Sequence, residues 1–230
     1  MTQKFLLIGM AALLAACSPR LQKPSPPAPV TVPSPSVLPA AGAYRLGEPS
    51  ELRILVYRGG ALSNLGHNHV MLNRTLTGGI KVGTDWAASS FELTLPVSGF
   101  IVDDTHARQE EGADFPGEIS EDAKSGTLHN MQSEAVLNAA AYQEITVKSL
   151  GVHQSDKGIE ADMQVRVAGH EAKVSAPFTV TRQGQGFLAT ADFELKQSAL
   201  SMTPYSLMHG ALAVKDAMRI KLKLSAVPQP

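Results

Sequence analysis

His67 and His69 stand two residues apart in the run Gly66-His67-Asn68-His69. On an extended strand, residues two apart project from one face. The spacing therefore predicts two imidazoles converging on one metal ion or on one ligand head group. A neutral imidazole donates through one ring nitrogen and accepts through the other, which suits a quinone carbonyl, a chromanol-like hydroxyl or a pyrophosphate. A metal site needs a third and usually a fourth ligand. His106, His129 and His209 could supply them, although no local spacing ties them to the pair. Histidines that hydrogen-bond within a turn are the plain alternative.

A second polar group follows Val102: Asp103, Asp104, His106, Arg108, Glu110 and Glu111. It reads as a charged loop, in which Arg108 could pair its planar fork with a phosphate or a carbonyl. The catalytic motifs fail. No Gly-x-Ser-x-Gly elbow is present, and no glycine-rich loop of the kind that cradles phosphates. The acidic pairs Asp103-Asp104 and Glu110-Glu111 are sequence neighbours, which says nothing of carboxylates opposed across a substrate. The expectation is a binding protein rather than an enzyme.

The single cysteine, Cys17, directly follows Leu14-Ala15-Ala16 and the apolar run Phe5 to Ala16, with Lys4 ahead of it. That run is too short to span a bilayer as a lasting helix. It reads as a cleaved signal over residues 1–16 whose lipobox cysteine is acylated and becomes the new N-terminus. The expected location is the periplasmic face of the cell envelope, and Ser18 after the cysteine favours the outer membrane. No second thiol remains for a disulfide, so the hydrophobic core must hold the fold. With 20 basic and 21 acidic residues interspersed and a net charge of −1, nothing calls for a nucleic-acid partner.

Residues 17–43 carry the cysteine and a run dense in proline, from Pro19 to Pro39. They read as an extended tether of about 3.1 Å per residue. One domain follows, over residues 44–226. Its dominant period is two. Residues 159–167 alternate apolar and polar without a break, and the same pattern recurs over 172–180, 187–195 and 218–224. Residues 52–57, 76–82, 91–97 and 144–150 are further strand candidates, with Gly78-Gly79 marking a bulge or bend. Residues 120–138 have helical composition, with Ser120 placed as cap and Glu121 and Asp122 in the first turn. About eight antiparallel strands and one short helical insertion predict an all-β barrel, since closure removes exposed edges.

Several stretches, taken in order, resemble the YceI family: Tyr44-Arg45-Leu46 opening a strand, Gly66 followed by a bulky residue, Asn130-Met131 ahead of residues 135–138, and Ala141-Tyr142. Gly169-His170 between strands, Ser201-Met202-Thr203-Pro204, and residues 210–216 leading into the last strand complete the set. Gln143 stands where many members have proline. The resemblance implies a lipocalin-like barrel holding an isoprenoid lipid, a quinone or a polyprenyl phosphate, with no cofactor required and with dimers as an option. Met163, Val165, Val167, Phe178, Val180, Phe187, Phe193, Ile220 and Leu222 would then face inward around the chain, with His67, His69 and Arg108 as polar contacts. The competing readings are a metal- or haem-binding envelope protein built on His67 and His69, and a structural lipoprotein with a filled barrel.

Overall fold

Alternation gives most of the strands one apolar face, and the chain buries those faces by closing the sheet on itself. The computed structural model describes residues 36–155 and 158–229. The expected signal, Cys17 and the tether up to residue 35 lie outside the described residues. The elements run β1 (Gly42–Gly59), β2 (His69–Asn73), β3 (Thr77–Val82), β4 (Ser90–Pro96), β5 (Phe100–Val102), α1 (Thr105–Glu110) and α2 (Glu121–Gln132). They continue as β6 (Glu144–Ser155), β7 (Gly158–Val167), β8 (His170–Gln183), β9 (Gly186–Lys196), β10 (Ser206–Leu207) and β11 (Leu212–Pro228).

The sheet order is β10-β11-β9-β8-β7-β6-β4-β3-β1-β2-β5, and a further β11–β1 ladder closes it. That ladder runs nearly the length of both strands, from Tyr44 opposite Pro228 to Gly59 opposite Ala213. The first half of β1 pairs with β3 and its second half with β2. β2 and β3 are thus two halves of one broken stave, and β4 and β5 are another, so the strands compose a closed antiparallel barrel of eight staves. Asn73, fully buried, governs both breaks. Its Oδ1 accepts from the Thr75 N–H at 2.9 Å and its Nδ2 donates to the Pro96 carbonyl at 2.9 Å.

The all-β barrel with a helical insertion is what the sequence predicts. Four details differ. The helical insertion is shorter than residues 120–138: Ser120 caps α2 by accepting from the Ala123 N–H, but the helix ends at Gln132 and tight turns follow, with Asn138 at φ 45°. The charged run after Val102 is not a loop but α1, capped by the Asp104 side chain accepting from the Ala107 N–H at 2.9 Å. No bulge interrupts the β3–β4 register at Gly78. Glycine is needed there because φ is +152° and a Cβ would lie 2.2 Å from the Glu92 carbonyl oxygen.

The tether, expected through residue 43, gives way to packed chain at least from residue 36. The Val37 N–H donates to the Val180 carbonyl at 3.1 Å, the Val180 N–H donates to Ser36 Oγ at 3.1 Å, and Leu38 packs on the core. Free edge groups of β8 capture that segment, because a strand edge is an open row of donors and acceptors.

Outside the barrel, α1 and the turn after it lie on β1 and β2. Leu55, Val70, Leu72, Ala107 and Phe115 form a small second core there, beside the large interior one. β2 is accordingly buried on both faces.

Candidate functional site

The inward side chains do not fill the barrel. They leave a cavity of about 330 Å³, within the span of about 300–1,000 Å³ usual for small-molecule sites. Its wall includes Ile54, Met71, Leu93, Met163, Val165, Val167, Phe178, Phe193, Met218, Ile220 and Leu222. Of the inward-facing residues expected from sequence, Val180 and Phe187 fall elsewhere: they line a separate pocket of about 60 Å³ with Trp86 and Phe91. Phe178 is in the wall of both. The described polar residues of the large cavity are His69, Thr127, Asn130, Gln197 and Tyr205.

The two sequence-paired histidines part company. β2 begins at His69, so His67 precedes the strand and does not share its face. His67 is exposed and absent from the cavity wall, with its ring centroid 6.1 Å from that of His69. His69 is half-buried and lines the cavity.

Backbone geometry positions His69. The β2–β5 ladder ends with Met71 opposite Val102. One step further the Asp103 N–H still donates to the Val70 carbonyl at 2.8 Å, but φ of 54° at Asp103 turns the chain aside. The Asp103 carboxylate takes over the missing rung, with Oδ1 accepting from the Val70 N–H at 2.9 Å. Its Oδ2 lies 2.6 Å from His69 Nδ1.

Arg108 completes the group. Its Nη1 donates to Asp103 Oδ1 at 2.6 Å and to the Asn68 carbonyl at 2.8 Å, while Nη2 donates to the Pro116 carbonyl at 3.2 Å. The guanidinium carbon sits 5.8 Å from the Phe115 ring centroid. Burial pushes the Asp103 carboxyl up, but the contacts from His69, the Val70 N–H and Arg108 outweigh it and hold the group below the ordinary carboxylate value. Asp103 is therefore an ionised carboxylate neutralised by Arg108, and it orients the imidazole. Arg108 does not line the cavity. Its expected pairing with a ligand gives way to this internal one, because α1 carries it under Asp103 rather than toward the barrel interior.

An Asp-oriented imidazole is half of a hydrolytic triad. Here no serine or cysteine is among the described residues of the cavity wall. Among the described residues, no group of three His, Cys, Asp or Glu side chains is placed to hold a metal ion. What the arrangement offers is an apolar pocket with an imidazole held in its wall by a buried carboxylate. Asp103 was visible in the sequence as part of a charged run, but its partnership with His69 depends on a contact 34 residues apart along the chain.

A closed eight-stave barrel with an unfilled apolar interior defines a lipocalin-like binding fold. The family model for the YceI-like domain matches residues 61–226, well over half of the chain, and the protein belongs to that family. In fold, the chain is similar to the crystal structure of Burkholderia cenocepacia BcnA, with TM-score 0.55 and 16% identity, covering 77% of this chain and 96% of that one. It is also similar to a polyisoprenoid binding domain from Saccharophagus degradans implicated in plant cell wall breakdown, with TM-score 0.51 and 13% identity, covering 83% and 100%. No curated protein matches the sequence.

Proposed function

We propose that the protein is a lipid-anchored envelope protein whose barrel binds or carries an isoprenoid lipid. The observation that carries this is the cavity of about 330 Å³ whose wall is aliphatic and aromatic apart from a few polar side chains. Each methylene moved from water into such a space gains about 0.8 kcal/mol. Met71, Met163, Met202 and Met218 in the wall suit a branched, irregular chain, since unbranched thioether side chains adapt their shape. The Saccharophagus degradans domain, named for polyisoprenoid binding, and the YceI-like family support the same class of ligand. A quinone or a polyprenyl phosphate has a tail of that kind. The role is binding, not catalysis.

The lipobox at Cys17 supports an anchor, with Ser18 favouring the outer membrane. Because chain from residue 36 onward belongs to the barrel, the proposed spacer is residues 18–35, about 55 Å if extended as polyproline. Mass spectrometry of an organic extract of the purified protein tests the ligand. A co-purifying prenyl lipid, or saturable uptake of one added to the stripped protein, is the expected result. Neither appearing would sink the reading, and a stoichiometric metal or a Soret band lost in His69→Ala would favour the metal- or haem-binding alternative.

A further inference from the structure

We infer that the cavity takes a prenyl chain bearing an uncharged hydroxyl head group, which donates its proton to His69 Nε2. The inference rests on the isoprenoid reading above and narrows it to an isoprenoid alcohol or a prenylated hydroquinone.

Two observations carry it. The first is charge. Among the described residues of the cavity wall there is no lysine, arginine, aspartate or glutamate. The buried charges behind His69, Asp103 and Arg108, are paired with each other at 2.6 Å. A phosphate or pyrophosphate carried inside would be stripped of water with no cation to meet it, and an unpaired buried anion is strongly disfavoured.

The second is direction. His69 Nδ1 lies 2.6 Å from Asp103 Oδ2, and the other carboxylate oxygen is already taken by Arg108 and the Val70 N–H. A carboxylate so engaged can only accept, so Nδ1 carries the proton of the neutral ring and Nε2 presents a lone pair. No described residue hydrogen-bonds to Nε2, and His69 lines the cavity. A lone pair there complements a hydroxyl. It opposes a quinone carbonyl, which is itself an acceptor. Asp103 is thus a positioning residue, setting which ring nitrogen faces the ligand.

Three probes sharing one tail test this with the purified protein: farnesol, farnesyl methyl ether and farnesyl pyrophosphate. Farnesol should bind about three- to tenfold tighter than the ether, the worth of one hydrogen bond, and the pyrophosphate should bind weakest. In His69→Phe the preference for alcohol over ether should fall to about one. Nitrogen-15 resonances of the wild-type His69 ring provide a readout that needs no variant. They should show a bare Nε2 that shifts on adding farnesol and stays on adding the ether. A pyrophosphate that binds tightest, an alcohol-to-ether ratio near one in the wild type, or a protonated Nε2 in the neutral ring would each overturn the head-group assignment while leaving the prenyl cavity standing. If none of the three probes binds, the isoprenoid reading itself falls and takes this inference with it.

Discussion

At the scale of single residues, Asp103 concentrates the consequences. It is fully buried, and removing one member of a buried, hydrogen-bonded ion pair typically costs about 3–5 kcal/mol. Asp103→Ala should lower unfolding stability by about that amount, read from urea denaturation. The same carboxylate sets an acid limit. Its folded value lies below the ordinary one, so as pH falls the unfolded chain takes up the proton first. Its contribution to stability is therefore complete above about pH 4–5 and is lost as pH drops through the depressed folded value. Wild-type stability should fall more steeply between about pH 4 and pH 2 than that of Asp103→Asn, whose side chain does not titrate there. His67, exposed and outside the cavity wall, should behave as surface. His67→Ala is expected to change stability by less than about 0.5 kcal/mol and to leave prenyl-lipid binding as it was, whereas His69→Ala changes binding. The two histidines look equivalent in sequence because period-two reasoning assumes that both lie on the strand. They differ because the strand starts at the second.

At the scale of elements, most staves were legible, the short β3 and β4 among them, while β2 and β5 were not, for a physical reason. β7 alternates because one face meets the interior and the other water. β2 reads His69-Val70-Met71-Leu72-Asn73, with its last four residues buried. Met71 looks into the cavity while Val70 and Leu72 lie under α1. A strand covered on both sides carries no alternation to detect. α1 is only six residues long, and its charged residues mimic a solvated loop. Its helix signals were present all the same, with Asp104 as cap and Arg108 in the last turn. Two substitutions probe how the elements fit. Gly78→Ala would push a Cβ against the Glu92 carbonyl, backbone that cannot step aside, and should destabilise the barrel by about 1–3 kcal/mol. Phe178 borders both cavities. Phe178→Ala should cost about 3–5 kcal/mol and, by joining the two spaces, shift binding toward longer prenyl chains, which a chain-length series measured against wild type would reveal.

For the whole molecule, the working boundary of the domain lies upstream of where the alternating pattern begins. Ser36 and Val37 bond to β8, Leu38 packs on the core, and the Ala40 carbonyl accepts from the Tyr44 hydroxyl at 2.8 Å. A fragment starting at residue 44 forfeits these contacts. It should be less stable than one starting at residue 36 by about 1.5–4.5 kcal/mol, counting these three hydrogen bonds at about 0.5–1.5 kcal/mol each, and thermal melts of the two fragments would show it. The pairing of Tyr44 with Pro228 reaches further than stability. Among the described residues the closing seam joins the first strand to the last, so a chain that stops short of β11 cannot shut the barrel. Contacts this remote along the chain are slow to form. Until β11 emerges, the polypeptide stays open and threadable, with its lipid pocket not yet in existence.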